Sequence, residues 1–268
     1  MDKRNTLRSQ YLEAMGIQTW ERRSTWTPAD VVQSASSEEE LLVTPYAVVG
    51  QERTVEQPMA NKRLVTPTPA TDQASVPTAD IITLDWPALE QAVNVCTRCR
   101  LSETRSKMVF GVGNRKADWM VIGEAPGAEE DRQGEPFVGR AGQLHNAMLK
   151  AIGLAREDVY IANILKSRPP QNRDPLPDEV AACEPFLMRQ IQLIEPKIIL
   201  AVGRIAAQNL LKTDTKISLL RGKRHVYPGT DIPLVVTYHP AYLLRAPAEK
   251  RKAWEDLKFA VKVVKGEE

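Results

Sequence analysis

A carboxylate, a primary amide and an imidazole, each set at the end of an apolar run, are the residues of this chain best placed to do chemistry. Glu124 lies in the turn Gly123-Glu124-Ala125-Pro126-Gly127 behind the run 119–122, Asn163 lies within the run 159–165, and His239 follows the run 234–238 and precedes Pro240. A carboxylate can take a proton or face a cation, a buried amide needs partners for both its carbonyl and its NH₂, and an imidazole can donate or accept. Singly, each is more often a satisfied structural group. At equivalent ends of parallel strands, the three converge on one crevice.

The elements that would position them are legible as periodicity. The runs 119–122, 159–165, 197–202 and 234–238 read as short strands, and helical spacing separates them at 143–152, 178–194 and 204–211. A closing helix is expected over 248–264, with Trp254, Leu257, Val261 and Val264 as its apolar stripe. Upstream, Leu89 and Val93 keep helical spacing into Cys96. Strand alternating with helix predicts an α/β fold, a three-layer sandwich with a mostly parallel central sheet. Behind the first strand, the loop ending in Phe137-Val138-Gly139-Arg140-Ala141-Gly142 opens onto a helix carrying Leu144, Ala147, Met148 and Ala151, an arrangement that offers free backbone amides beside the Glu124 carboxylate. His145 falls on the polar flank of that helix and reads as solvated or phosphate-facing. Gly111-Val112-Gly113 is no dinucleotide loop, because it precedes the strand and no third glycine opens a helix.

With 268 residues, 43% of them hydrophobic, the chain can hold one sizeable α/β domain and an extension. The domain is expected over 81–268. Residues 24–80 are rich in Pro, Thr, Ser, Glu and Gln without sustained periodicity and read as a disordered linker, since so little apolar burial cannot offset the ordering entropy. Ahead of it, residues 1–23 carry Tyr11, Leu12, Met15, Ile17 and Trp20 among Arg8, Arg22 and Arg23, the make-up of a docking peptide that orders on a partner. The net charge is only +2, but Arg98, Arg100, Arg105, Lys107, Arg115 and Lys116 face a single acid, Glu103, between Cys96 and Lys116. That suits a phosphate backbone, or a merely solvated face. No apolar run approaches the roughly 20 residues of a membrane span and the N-terminus lacks a signal-peptide core, so a cytoplasmic protein with reduced cysteines is expected.

Three segments carry a resemblance: residues 123–142, Tyr160-Ile161-Ala162-Asn163-Ile164 leading to Arg168-Pro169-Pro170-Gln171-Asn172-Arg173, and His239-Pro240-Ala241-Tyr242-Leu243-Leu244-Arg245. In order and spacing they resemble family 4 uracil-DNA glycosylases over about residues 86–264. The resemblance implies the three-layer glycosylase fold and hydrolysis of the N-glycosidic bond of uracil in DNA, leaving an abasic site without strand cleavage. That reaction places positive charge on the sugar and negative charge on uracil O2. By resemblance, His239 faces the oxyanion, Asn163 reads the O4 and N3–H edge, Gly123 and Phe137 line the base pocket with Phe137 stacking on the flipped base, and Glu124 stands beside the attacking water, as base or as field. Leu243, Leu244 and Arg245 match the loop that enters the duplex, with ordinary packing as the alternative for the two leucines, and Arg140 stands as a DNA contact.

Cys96-Thr97-Arg98-Cys99 and Cys183 are similar to the family's four-cysteine iron-sulfur framework, but the position of the remaining ligand holds Ser167. Three thiolates can hold a 4Fe-4S cube completed by a serine oxygen or water, or a 3Fe-4S cluster; alternatively the cysteines simply pack, and zinc is a weaker choice without a nearby His. The N-terminal peptide resembles that of the psi subunit of the bacterial DNA polymerase III clamp loader, which implies a tether to the replication machinery through residues 7–23; the plainer alternative is a peptide packing on its own domain. A second reading of the whole chain is a non-catalytic replisome subunit with a degenerate glycosylase-like domain.

Overall fold

The computed structural model describes residues 78–267. The docking peptide and nearly all of the linker read from the sequence lie outside these residues. Helix α1 (Thr78–Ile81) opens the described residues, and its Ile81 is fully buried against Leu89, Phe110 and Phe186.

Six strands form one sheet in the order β1-β3-β2-β4-β6-β5, from β1 (Val112–Gly113), β2 (Trp119–Gly123), β3 (Tyr160–Asn163), β4 (Ile198–Val202), β5 (Arg224–Val226) and β6 (Pro233–Thr237). The four central strands are parallel and the two edges pair antiparallel. Every residue of β2, β3 and β4 is buried, which is why these strands read as unbroken apolar runs and not as alternation. One face, with Met120, Ile122, Ile199 and Val236, packs on Leu187 and Ile191 of α5 (Pro177–Ile194) and Leu210 of α6 (Arg204–Leu211). The other, with Val121, Ile161, Leu200 and Val235, packs on Leu144 and Met148 of α4 (Arg140–Ala151) and Leu257 and Ala260 of α9 (Lys250–Lys265). The remaining helices are α2 (Trp86–Asn94), started by the Asp85 side chain accepting from the Ala88 N–H, α3 (Ala128–Gln133), α7 (Ile217–Leu220) and α8 (Pro240–Arg245). These are the three layers expected.

Two details differ from the periodicity. The edges β1 and β5 are too short, and β5 too polar, to register as apolar runs. On α9 the core-facing side is Ala253, Asp256, Leu257, Ala260 and Val263, while Trp254, Val261 and Val264 flank it, partly buried. A buried acid rotated the face away from the hydrophobic count: Asp256 accepts from Arg221 Nε at 2.9 Å beneath the helix.

Candidate active site

Parallel register brings the three chemical residues together. Gly123 pairs with Asn163 across β2 and β3, Val202 with Thr237 across β4 and β6, and the residues that follow open onto one cleft of about 730 Å³. Glu124, Phe137, Asn163 and His239 all line it, with Arg173, Asp174, Arg204 and Arg245. The site thus sits outside the carboxyl ends of the strands, where β2 has β3 on one side and β4 on the other.

Gly123 makes the close quarters possible. A Cβ there would come within 2.5 Å of Asn163 Oδ1 and 2.8 Å of the Phe137 ring, so any other residue would push the amide and the ring apart. Asn163 is 3% exposed. Phe137 holds a left-handed backbone (φ 54°), which a bulky residue adopts only when its surroundings impose it. Here Gly142 lets the first turn of α4 close onto the Phe137 carbonyl, and Arg156 donates to the carbonyls of Pro136 (2.5 Å) and Phe137 (3.4 Å).

His239 begins α8, and its Nδ1 accepts the Ala241 N–H at 3.1 Å. An accepting Nδ1 leaves the proton of the neutral ring on Nε2, turned to the cleft. Burial pushes the imidazole down to about 4, with Glu130 opposing and Arg245 assisting, so the ring stays neutral at physiological pH. Glu124 moves the other way. Burial, reinforced by Asp174 and opposed by Arg204, raises its carboxyl to about 7.

Glu130 is a site residue with no signal in the sequence. Its carboxylate accepts the main-chain N–H groups of Gly127 (3.1 Å), Val138 (3.1 Å) and Gly139 (3.3 Å), tying the two glycine-rich loops into one wall. Its neighbour Asp131, 4% exposed, accepts from Ser106 and Lys107 N–H and anchors the basic segment.

Two sequence expectations are corrected. Leu243 is 1% exposed and packs beneath the sheet, so it is not a surface wedge; Leu244 and Tyr242, each 38% exposed, and the exposed Arg245 form the protruding edge. The reason is the short α8, which turns alternate sides to core and solvent. His145, read as solvated, is 1% exposed and stacks on Phe137 with centroids 4.7 Å apart; burial pushes it down to about 3 and neither ring nitrogen has a partner in hydrogen-bond geometry. Within the basic segment, Arg98 bonds the Ala182 carbonyl and Arg105 the Cys96 carbonyl, Arg115 lies over Trp86 and pairs with Glu90, and Arg100, Lys107 and Lys116 are exposed, so both uses read from the sequence stay open for them. Arg140 is exposed at the start of α4, beside the cleft-lining Ala141.

The cysteines meet at the far side of β3. Cys96 and Cys99 follow α2 and Cys183 rises from α5; burial raises the proton affinity of Cys99, with Cys96 adding to it, and that of Cys183, with Cys96 and Cys99 adding to it. Cys183 Sγ accepts the Lys166 N–H at 3.2 Å, and burial pushes this thiol up to about 11. Ser167 Oγ accepts from Arg105 at 3.3 Å and donates to Met108 Sδ at 3.3 Å. Among the described residues no three His, Cys, Asp or Glu side chains are drawn together for a single metal ion. A cluster spreads its thiolates over the corners of a cube, and three sulfurs with an N–H···S bond and nearby Arg105 fit that donor set.

The family model of the uracil DNA glycosylase superfamily matches residues 110–258. Among similar proteins, a type-4 uracil-DNA glycosylase of Archaeoglobus fulgidus is 47% identical over 169 residues, 61% of this chain and 85% of its own length. That of Saccharolobus solfataricus is 44% identical over 173 residues (62% and 80%), and that of Thermotoga maritima 41% over 182 residues (67% and 94%). These matches give no support to a degenerate, non-catalytic replisome subunit. The cleft that gathers Glu124, Asn163 and His239 belongs to a DNA-repair hydrolase: the chain is a member of the type-4 family of uracil-DNA glycosylases.

Proposed function

We infer that the chain's own residues divide the reaction as follows. The flipped uracil lies against Phe137 with its O4 and N3–H edge on the Asn163 amide. His239 Nε2–H donates to O2 as the glycosidic electrons move into the base, and Glu124 holds water against the cationic sugar and takes its proton. Leu244, Tyr242 and Arg245 fill the gap left in the duplex. The observation that carries this reading is the hydrogen bond from Ala241 N–H to His239 Nδ1, which leaves a neutral ring with its donor toward the cleft. Asn163→Asp tests the base contact. Uracil release from single- and double-stranded DNA should fall and discrimination against cytosine weaken, because a carboxyl group can present donor and acceptor in a different order. Unchanged uracil turnover with no cytosine release would remove Asn163 from the pocket.

Cys96, Cys99 and Cys183 would hold an iron-sulfur cluster in this reading, with the Ser167 oxygen or water as the remaining ligand. When bound, the cluster cross-links the turn after α2 to α5 and braces the strand that carries Asn163; the hydrolysis itself is redox-neutral. Serine oxygen is a harder donor than thiolate. Anaerobically purified protein should therefore carry iron and sulfide that are lost readily, and Ser167→Cys should retain them longer, followed by visible absorption and iron analysis. Absence of iron from both proteins would mean that the cysteines only pack.

Residues 7–23 dock on a clamp-loader component, and the linker lets the cytoplasmic enzyme search newly made DNA at raised local concentration. Support comes from the sequence alone, from the anchors Leu12, Ile17 and Trp20. Deleting residues 1–23 should abolish pulldown of the clamp loader and leave uracil release nearly unchanged. Persisting pulldown, or an equal loss of catalysis, would point to a peptide packed on its own domain.

A further inference from the structure

Arg221 and Asp256 form a largely buried ion pair that the chemistry described so far does not use. Asp256, on the core side of α9, is 1% exposed and accepts from Arg221 Nε at 2.9 Å and from Nη2 at 2.8 Å. The same Nη2 donates to the Lys252 carbonyl, one turn earlier on α9, at 2.5 Å. Arg221 follows α7, so its guanidinium ties the end of that helix to α9. What the guanidinium covers is a wall of the cleft: its carbon lies over the Tyr238 ring, 4.6 Å from the centroid. Tyr238 is buried, lines the cleft and immediately precedes His239. Its ring in turn meets that of Tyr242 with centroids 5.1 Å apart, and Tyr242 stands on the protruding edge of α8. A chain of contacts therefore runs from Asp256 through Arg221 and Tyr238 to an exposed ring beside the cleft mouth.

Taking an ion pair out of water is costly, and well-packed apolar side chains of similar volume often stabilise a fold as well or better. What they do not supply is direction. Bonds from two guanidinium nitrogens to a carboxylate and a carbonyl leave the rigid fork one orientation, and its attraction to the ring face then fixes where Tyr238 lies. That matters where an edge must press into stacked bases. A side chain filling the gap left by a flipped nucleotide works against pairing and stacking, and an edge free to yield would give way before the base pair does. We propose that Arg221 is a positioning residue of the duplex-entering edge: braced on α9, it holds Tyr238, and through it Tyr242, firm against the base stack while uracil leaves the helix. The proposal rests on the reading that Tyr242, Leu244 and Arg245 fill the gap in the duplex.

The test compares single-turnover uracil release, with saturating full-length enzyme, from one sequence offered as a single strand, as a duplex with U opposite G and as a duplex with U opposite A. A single strand has no pair to open, so an edge that only opens pairs is not needed there. Arg221→Met combined with Asp256→Asn removes both charges, nearly keeps the volume and leaves no unpaired buried charge. This variant should release uracil from the single strand within about threefold of wild type and from the U:A duplex about tenfold or more slower, with the weaker U:G pair between them. Should it not fold, Arg221→Lys serves instead, since it keeps a charge beside Asp256 but gives up the fork that spans Asp256 and Lys252; the same order of losses is expected. Equal losses on all three substrates would place the effect on His239 or on the fold and overturn the proposal. Wild-type rates on all three would overturn it too. Tyr242→Ala and Leu244→Ala run alongside. If both leave the ratio of single-strand to duplex rates unchanged, the edge does not enter the duplex and the proposal falls with that reading, whatever Arg221 does; if they change the ratio and the Arg221 variant does not, the proposal alone fails.

Discussion

Replacing His239 with alanine lowers uracil release by about 10²-fold or more, the scale set by losing one oriented oxyanion donor, and leaves DNA binding close to wild type. The expectation comes from the tautomer. Nδ1 is committed to the Ala241 N–H, so Nε2 carries the proton, and burial holds the ring neutral down to about pH 4. A neutral donor needs no proton from solution, so His239 adds no step to the pH profile between 5 and 9. His239→Gln, which keeps an N–H near the same position, should lose less than alanine. Single-turnover kinetics with saturating enzyme separates this from binding; an alanine variant at wild-type rate would mean that uracil O2 finds its donor elsewhere.

Glu124→Gln is expected to lower the plateau rate by about 10²-fold or more if the carboxylate takes the water's proton, and to abolish a pH step near 7. The sign is fixed by which form works. Burial raises the carboxyl to about 7, so the ionised base forms as pH climbs through that value and the wild-type rate falls below it. Asp174 adds to the upward shift and Arg204, paired with Asp174 at 2.6 Å, opposes it. Asp174→Asn should therefore move the step to lower pH. The same shift has a stability counterpart: ionising a group whose folded pKa lies above its unfolded one disfavours the folded state, with no penalty below the unfolded value and the full penalty above about 7. Glu124→Gln should accordingly raise Tm at pH 8 and change it little at pH 4. A rate that is level from pH 5 to 9 in wild type would exclude Glu124 as the base.

Much of this architecture was legible because its local signals and its tertiary demands agree. The runs at 119–122, 159–165, 197–202 and 234–238 correspond to β2, β3, β4 and β6, shifted by a residue or so at their ends. A strand covered on both faces must be apolar throughout, so burial itself writes the pattern. Helix α6 begins and ends where its periodicity does. The edges escaped notice because two or three residues, one of them Gly113 and others Arg224 and His225, carry no apolar period; their order comes from pairing with β3 and β6.

By itself, the sequence determined the parallel α/β order, the family to which the chain belongs, and the placing of Glu124, Asn163 and His239 at strand ends that must share one edge. Only the tertiary structure decided what the polar residues between them do. Leu243 turned inward to the core; His145 slid beneath Phe137; Arg98 and Arg105 bent back to main-chain carbonyls; Glu130 gathered amides from two loops; Lys166 found Gln190. The reason lies in how burial is recognised. An apolar residue reports its burial through its own type and its near neighbours' spacing, whereas most polar ones are buried where a partner satisfies them, and that partner can stand far along the chain, as Ala182 does 84 residues from Arg98.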